Sequence, residues 1–410
     1  MAPTTHRRRD KSPNYDRLRT RSSLRRAWGS VRHAATNASP STRRLVARFE
    51  AGELRNLERI GEQLRDGEFE FGAARAVEIP RAGKPPRPIV MPTIEARIVQ
   101  RALLDELHLA PLVQKHFENP WSFGCIPKKS RGDAINVARK AIEQGAKYYL
   151  RSDIRDFFTQ VPREQVVDDL VAELDDRAGQ LLRNATTLEF ANASSVDLSR
   201  FPNEERGVAQ GLCLSPLLGN IALAEFDRAM NTSDIRCLRY VDDFLILGDS
   251  ELAVRKAFRR AQALLSALSM HAYHPETDPG KAEFGPVGCF DFLGCAIQPG
   301  LVRPSRRSTR SLLHRLREIL SRAERSFLGS HSFRRTASLQ TVLYELRNLL
   351  KGWRDSFDFC EKSFVFVDVQ RQVDELVQPF LRAYGRRYRA ASASGKRTLL
   401  GLPTLTEIDP

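Results

Sequence analysis

The stretch LRYVDDFLILG, Leu238 to Gly248, sets two adjacent carboxylates, Asp242 and Asp243, between two short apolar runs. Runs of this length, rich in aromatic and β-branched residues and parted by two polar residues, read as strands joined by a tight hairpin with the acid pair at its tip. No other feature narrows the fold as much, because it fixes where the acids lie: at a strand edge, held by buried strands. An Asp-Asp step in a turn is by itself usually a pair of solvated turn residues. Any chemistry has to be argued from what the rest of the chain brings to it.

Upstream, YYLRSDI (148–154) reads as a strand carrying Asp153, and Pro162 in VPREQVVDDLVAEL suits the first residue of the next helix. A polar insertion over 184–206 leads into GVAQGLCLSPLLGNIALAEFDRAM. There Ser215 and Pro216 start a helix with Leu217, Leu218, Ile221, Phe226 and Met230 on one side. Beyond the hairpin an amphipathic helix is expected from Leu252 to Leu268, then a buried strand over 290–297 beginning FDFLG. The resulting β-α-β-β-α-β alternation is that of a ferredoxin-like split sheet, an α+β arrangement that can bring Asp153 beside the hairpin tip. Before it, VEIPRAGKPPRPIVM reads as two strands turning at AGKPP, followed by a helix from Thr93. A periodic helix is expected from STRRLVARFE onward, capped by Ser41. After Arg303 the composition shifts to Arg-rich helices, which places a domain boundary near 300.

The 410 residues leave room for two or three packed units, and 41% hydrophobic content with 22 Phe is enough to fill them. No apolar stretch approaches the roughly 20 residues of a membrane span. The six cysteines are scattered without a C-x-x-C pair, which suggests reduced thiols in a cytoplasm. His271 and His274 with Cys289 and Cys295 lack a zinc-site spacing, so zinc is not indicated. Charge is uneven. Residues 1–50 carry 13 Lys and Arg against 3 Asp and Glu, residues 301–410 carry 21 against 11, and the centre carries 31 against 36. Basic flanks suit a polyanion, and an acidic centre that must approach the same polyanion calls for divalent cations. The Arg-rich start is read as a nucleic-acid-binding arm ahead of a transit peptide, with a solvated tail as the open alternative.

If Asp153 meets Asp242 and Asp243, three carboxylates repel unless cations neutralise them, and hard oxygen donors suit Mg²⁺. Two such ions would activate an attacking 3′-hydroxyl and stabilise departing pyrophosphate. Taken in order, RSDIRDFF, GVAQGLCLSPLLGNIAL, RYVDDFLILG and FDFLG resemble the palm motifs of reverse transcriptases of the bacterial branch related to group II intron proteins. GKPPRPIVMPTIEARIVQRALL and WSFGCIPKKSRGDAI are similar to the fingers segments of that branch, and LRNLLKGWRDSF resembles its thumb helices.

The resemblance implies a right-hand polymerase: basic arm 1–45, fingers 46–150, ferredoxin-like palm 151–300, and an α-helical thumb 301–410. It implies an RNA-directed DNA polymerase that extends DNA from dNTPs on an RNA template with two Mg²⁺ ions, for which Mn²⁺ can substitute. Carried over position by position, Asp153, Asp242 and Asp243 hold metal together with the Ile154 carbonyl. Phe158, or its neighbour Phe157, lies under the incoming sugar, the other being a core aromatic. Gln210 with Gly207 and Gly211 forms the loop at the nascent pair, Lys84 and Arg87 reach the triphosphate, and Lys281 is the lysine after the hairpin. VAQG departs from the usual threonine-proline before the glutamine, and the 184–206 insertion has no assigned counterpart.

With no H-N-H nuclease portion after the thumb and no retron signature, the chain is similar to free-standing defence-associated reverse transcriptases working on a structured noncoding RNA, an expectation that leaves room for a partner protein or an oligomer. The alternatives are an RNA-binding maturase or scaffold, and protein-primed or weakly templated DNA synthesis.

Overall fold

The computed structural model describes residues 12–81, 83–203, 205–328, 338–361 and 364–402. The chain divides into two compact units, one from the chain up to Ala134 with Ala146–Gly285, the other from Ile135–Gly145 with the chain after Gly285.

The first unit opens on helices Tyr15–Leu18, Arg21–Ala34, Pro40–Glu50 and Glu53–Asp66. Within the segment expected as a basic arm over 1–45 the chain is helical from Tyr15, while residues 1–11 lie outside the described residues. The cause is an apolar stripe within the Arg-rich sequence. Leu24, Ala27 and Trp28 are fully buried, and the Trp28 indole donates to Glu53 Oε2 at 3.0 Å. The arginines occupy the other face. Ser39, not Ser41, caps the third helix, because Pro40 with its fixed φ takes the first helical position and leaves the residue before it as the cap. Thr93 caps Ile94–Leu107 as the sequence indicates, its hydroxyl accepting from the Ala96 N–H.

Strands β1 (Arg75–Arg81) and β2 (Lys84–Met91) form an antiparallel hairpin. The main sheet uses β3 (Tyr148–Asp153), β4 (Ile235–Tyr240), β5 (Asp243–Gly248) and β6 (Glu283–Pro286) in the order β4-β5-β3-β6. That is a ferredoxin-like order, with the helix Glu251–Ala267 packed on β3 and β5. The fourth strand is not FDFLG. Leu293 and Gly294 both take positive φ and break that run into a hairpin, β7 (Phe290–Phe292) and β8 (Cys295–Gln298), which β9 (Leu301–Pro304) extends in the second unit. The helix expected from Ser215 is also two, Ser215–Ala222 and Ala224–Met230, yet Leu217, Leu218, Ile221, Phe226 and Met230 are all buried. One core serves the N-terminal helices, the sheet and these helices alike.

In the second unit the helices Arg306–Leu328, Leu339–Asp355, Phe364–Ala390 and Ala393–Leu400 surround their own core, in which Leu316, Leu346, Val373 and Phe380 are buried. Among the described residues no helix is long and apolar enough to cross a membrane.

His116 is buried in the first unit, and neither ring nitrogen has a hydrogen-bond partner among the described residues. Burial, then the nearby charges of Arg239 and Lys129, push its pKa down to about 3. The unfolded chain, with histidine near its ordinary value, therefore binds one more proton than the fold between these limits. Stability from this group is complete above pH 6.5 and falls by up to about 1.4 kcal/mol per pH unit as pH drops toward 3. Urea denaturation at stepped pH should show a shallower acid loss for His116→Phe than for the unchanged chain.

Candidate active site

The antiparallel pairing of β3 with β5 sets Asp153 directly opposite Asp243. Tyr240 and Asp243 close the β4–β5 hairpin, so its two turn residues are Val241 and Asp242. The acid pair is thus shifted one place from the expected tip: Asp242 sits in the turn and Asp243 begins the strand. The reason is Val241, which takes the left-handed backbone (φ 61°) that the first position of such a turn demands. The Ile154 N–H donates to the Asp242 carbonyl at 3.1 Å, tying the end of β3 to this turn.

The three carboxylates sense one another. Burial and then the Asp153 charge push Asp242 up to about 6. Burial, then Asp242 and Asp153, push Asp243 up to about 7. Asp243 is nevertheless exposed as a residue, so this burial is partial. Lys281 forms an ion pair with Asp153 and lies 4.8 Å from the Tyr273 ring centroid. Burial opposes the Lys281 charge, but the bond to Asp153 outweighs it and the ammonium pKa is raised.

Among the described residues no three His, Cys, Asp or Glu side chains form a ready metal-ligand group. The donor chemistry nevertheless fits a hard divalent cation. Three carboxylates from adjoining strand ends repel one another, Lys281 answers only part of that charge, and oxygen is the donor such a cation takes.

A buried network, not anticipated from sequence, supports the turn. Arg239 is 1% exposed and its guanidinium spans Asp227 Oδ1 (2.6 Å) and Oδ2 (2.5 Å), Asn220 Oδ1 (2.9 Å), Ser122 Oγ (2.9 Å) and the Val241 carbonyl (2.8 Å). The segment before Gly124 joins the edge of β4, with the Arg239 N–H donating to Trp121 O and the Phe123 N–H to Arg239 O. A Cβ on Gly124 would fall 2.6 Å from the Val241 nitrogen, so only glycine fits beside the turn. The available signal was an arginine inside the apolar run CLRYV, where a charge must find a partner.

Other expected residues are placed as follows. Arg87 Nε donates to Gln210 Oε1 at 2.5 Å, and the Val90 N–H donates to the Gln210 carbonyl at 2.8 Å, which brings these two site residues together. Gly211 has φ 111°, and a Cβ there would lie 2.5 Å from the Val90 carbonyl. Gly207 is also at positive φ, its N–H bonded to Val161 O. Phe157 is buried against Gly219, while Phe158 stays partly accessible with its carbonyl accepting from the Val208 N–H. The Lys84 backbone starts β2 opposite Arg81, and its side chain lies outside the described residues. No described bond joins Arg87 to the carboxylates.

The sequence profile described as "Reverse transcriptase (RNA-dependent DNA polymerase)" matches residues 79–297, more than half of the chain, and the protein belongs to that family. It is 28% identical over 179 residues to Protein YkfC of Escherichia coli (strain K12), covering 43% of this chain and 45% of that protein. It is 25% identical over 174 residues to the group II intron-encoded protein LtrA of Lactococcus lactis subsp. cremoris, covering 42% and 28%. These matches span less than half the length of either relative. Apo telomerase from Candida tropicalis aligns over 82% of this chain and 67% of its own, at 14% identity and a TM-score of 0.43.

Removing one member of the buried ion pair strands the other without a counter-charge. Arg239→Ala or Asp227→Ala should therefore cost about 3–5 kcal/mol in urea denaturation, whereas the apolar double replacement Asp227→Leu with Arg239→Met should recover much of that loss. Two single variants of unchanged stability would show that the pair does not hold the fold.

Proposed function

We propose that this chain is an RNA-directed DNA polymerase, with fingers over 46–150, palm over 151–300 and a helical thumb over 301–410. The observation that carries the reading is the pairing of Asp153 with Asp243 beside the turn residue Asp242. Asp153, Asp242 and Asp243, with the Ile154 carbonyl, would hold two divalent cations, Mg²⁺ or Mn²⁺. When bound, such ions neutralise charge on the transferring phosphoryl group and lower the pKa of the attacking 3′-hydroxyl. Arg87, with Lys84, meets the triphosphate of a dNTP, and Arg87 is kept in place by Gln210. Phe158 lies under the sugar and leaves no room for a 2′-hydroxyl, while Phe157 supports it from the core. Lys281 holds Asp153 in position and offsets its charge. The net charge of +15 supports binding of an RNA template and a growing DNA strand.

Asp242→Ala should abolish dNTP incorporation on a primed RNA template while the protein stays folded. Normal incorporation by that variant would overturn the reading. In the same assay Phe158→Ala should raise rNTP use relative to dNTP. In thermal unfolding, Mg²⁺ at 100 times its Kd should stabilise the chain by about 2.7 kcal/mol. Asp243→Asn should remove that increment while raising the metal-free stability, since it deletes a repelling charge.

The resemblance to free-standing defence-associated enzymes supports a narrower proposal, that the template is one structured noncoding RNA used against phage. RNA copurifying with the protein should then be dominated by a single species, and phage protection should disappear with Asp243→Ala. A broad sample of cellular transcripts, with protection intact, would set this aside in favour of a scaffold.

A further inference from the structure

The polar insertion lies along the outer edge of the β1–β2 hairpin. Its chain bridges to Ala74, the residue just before β1: the Ala74 N–H donates to Glu189 O at 2.8 Å and the Ala191 N–H to Ala74 O at 2.9 Å. One step further the backbone stops and a side chain replaces it. The Asn192 amide accepts from the Ala76 N–H at 2.9 Å and donates to the Ala76 carbonyl at 3.0 Å, the two bonds a neighbouring strand would make. Beneath it, Phe201 is buried with Ala74, Ala76, Val90, Ala209 and Leu212, and Leu188, Phe190 and Val196 pack against them. This small core therefore joins the insertion, both hairpin strands and the Gln210 loop. Arg200 adds an ion pair to Glu78 of β1 at 3.6 Å.

A two-stranded hairpin is marginal alone and gains stability from a third strand. Here it is gripped on both edges. The outer edge, β1, is held by residues 189–192, and the inner edge, β2, by Gln210, which also takes Arg87. We infer that the 188–201 segment is a brace that fixes the register of the hairpin on the Gln210 loop and so presets Arg87 for the incoming nucleotide, with Asn192 as the positioning residue. The inference rests on the polymerase reading for its substrate, and on the strand pairing for its mechanics. Asn192 touches no expected nucleotide contact, so its effect has to travel through β1 and β2.

The test is Asn192→Ala, which removes two hydrogen bonds from a half-buried site without opening the core, together with Asn192→Asp, which keeps the acceptor but sets a carboxylate against the Ala76 carbonyl. Hydrogen exchange at the amides of Ala76 and Val90 reads the brace without turnover, and both should exchange faster in either variant. In primed extension, KM for dNTP should rise about five-fold, the effect of one net hydrogen bond, with kcat unchanged. Against an Arg87→Ala background the same substitution should leave KM where it is, because the residue it positions is gone. A variant that loses melting temperature and kcat but keeps KM would reduce Asn192 to a structural contact and overturn the inference. Unchanged protection at Val90 would overturn it as well. Faster exchange in a chain whose unchanged form incorporates no dNTP would leave the brace standing and remove the polymerase reading.

Discussion

The Arg239–Asp227 pair fixes the rest of the site. A β-branched residue at φ 61° is a strained choice for a turn, and Val241 stays there because its carbonyl accepts from a guanidinium that cannot move. That guanidinium is locked by Asp227 from one helix, Asn220 from another and Ser122 from the segment beside β4. A buried ion pair contributes little net stability against a well-packed apolar alternative. Its worth here is geometric, since four elements must agree on one position before the turn can form. Asn220 closes the frame by donating to the Gly124 carbonyl, so the glycine that lies against Val241 is held by the network that holds Val241.

Beyond that frame the electrostatics run the other way. Asp227 is answered in full by Arg239, whereas Asp242 and Asp243 sit at the mouth of the same hairpin with raised pKa values that Lys281, and for Asp243 also Arg151, offset only in part. The two kinds of acid serve one hairpin: Asp227 bonds Arg239 of β4, while Asp242 is in the turn and Asp243 begins β5. One is neutralised by the fold. The other is neutralised only in part, and a cluster of carboxylates at a strand junction has the donor chemistry of a hard cation site.

Much of this was legible from residue order. The apolar runs gave β3, β4 and β5, and their alternation with helices gave the sheet that sets Asp153 against Asp243. Local conformation was less legible. FDFLG is apolar enough for a single strand, but Leu293 and Gly294 turn it, and Leu293 is a residue whose left-handed backbone has no sequence signal. The N-terminal helices were hidden for a different reason. Arginines dominate the composition of residues 12–50, and the stripe of Leu24, Ala27 and Trp28 that packs the helix Arg21–Ala34 against the core is only visible in the helical period. Arg239 was present in the quoted motif, but its partners come from positions 122, 220 and 227, and contacts of that range cannot be read along a chain.

The glycines show how the pieces were made to meet. Gly124 lets one backbone lie against the acidic turn, and Gly211 lets another reach the Val90 carbonyl of the hairpin. Both are points where two backbones touch with no side chain between them, and in both cases the contact carries a functional candidate: Asp242 beside the first, Arg87 with Gln210 beside the second. Backbone contact is the stiffest coupling a small site can have, since it leaves no rotamer to relax. A site that must keep carboxylates and a cationic side chain at fixed separations is therefore better built on glycine contacts than on larger, more adaptable packing. Their price is that no other residue fits.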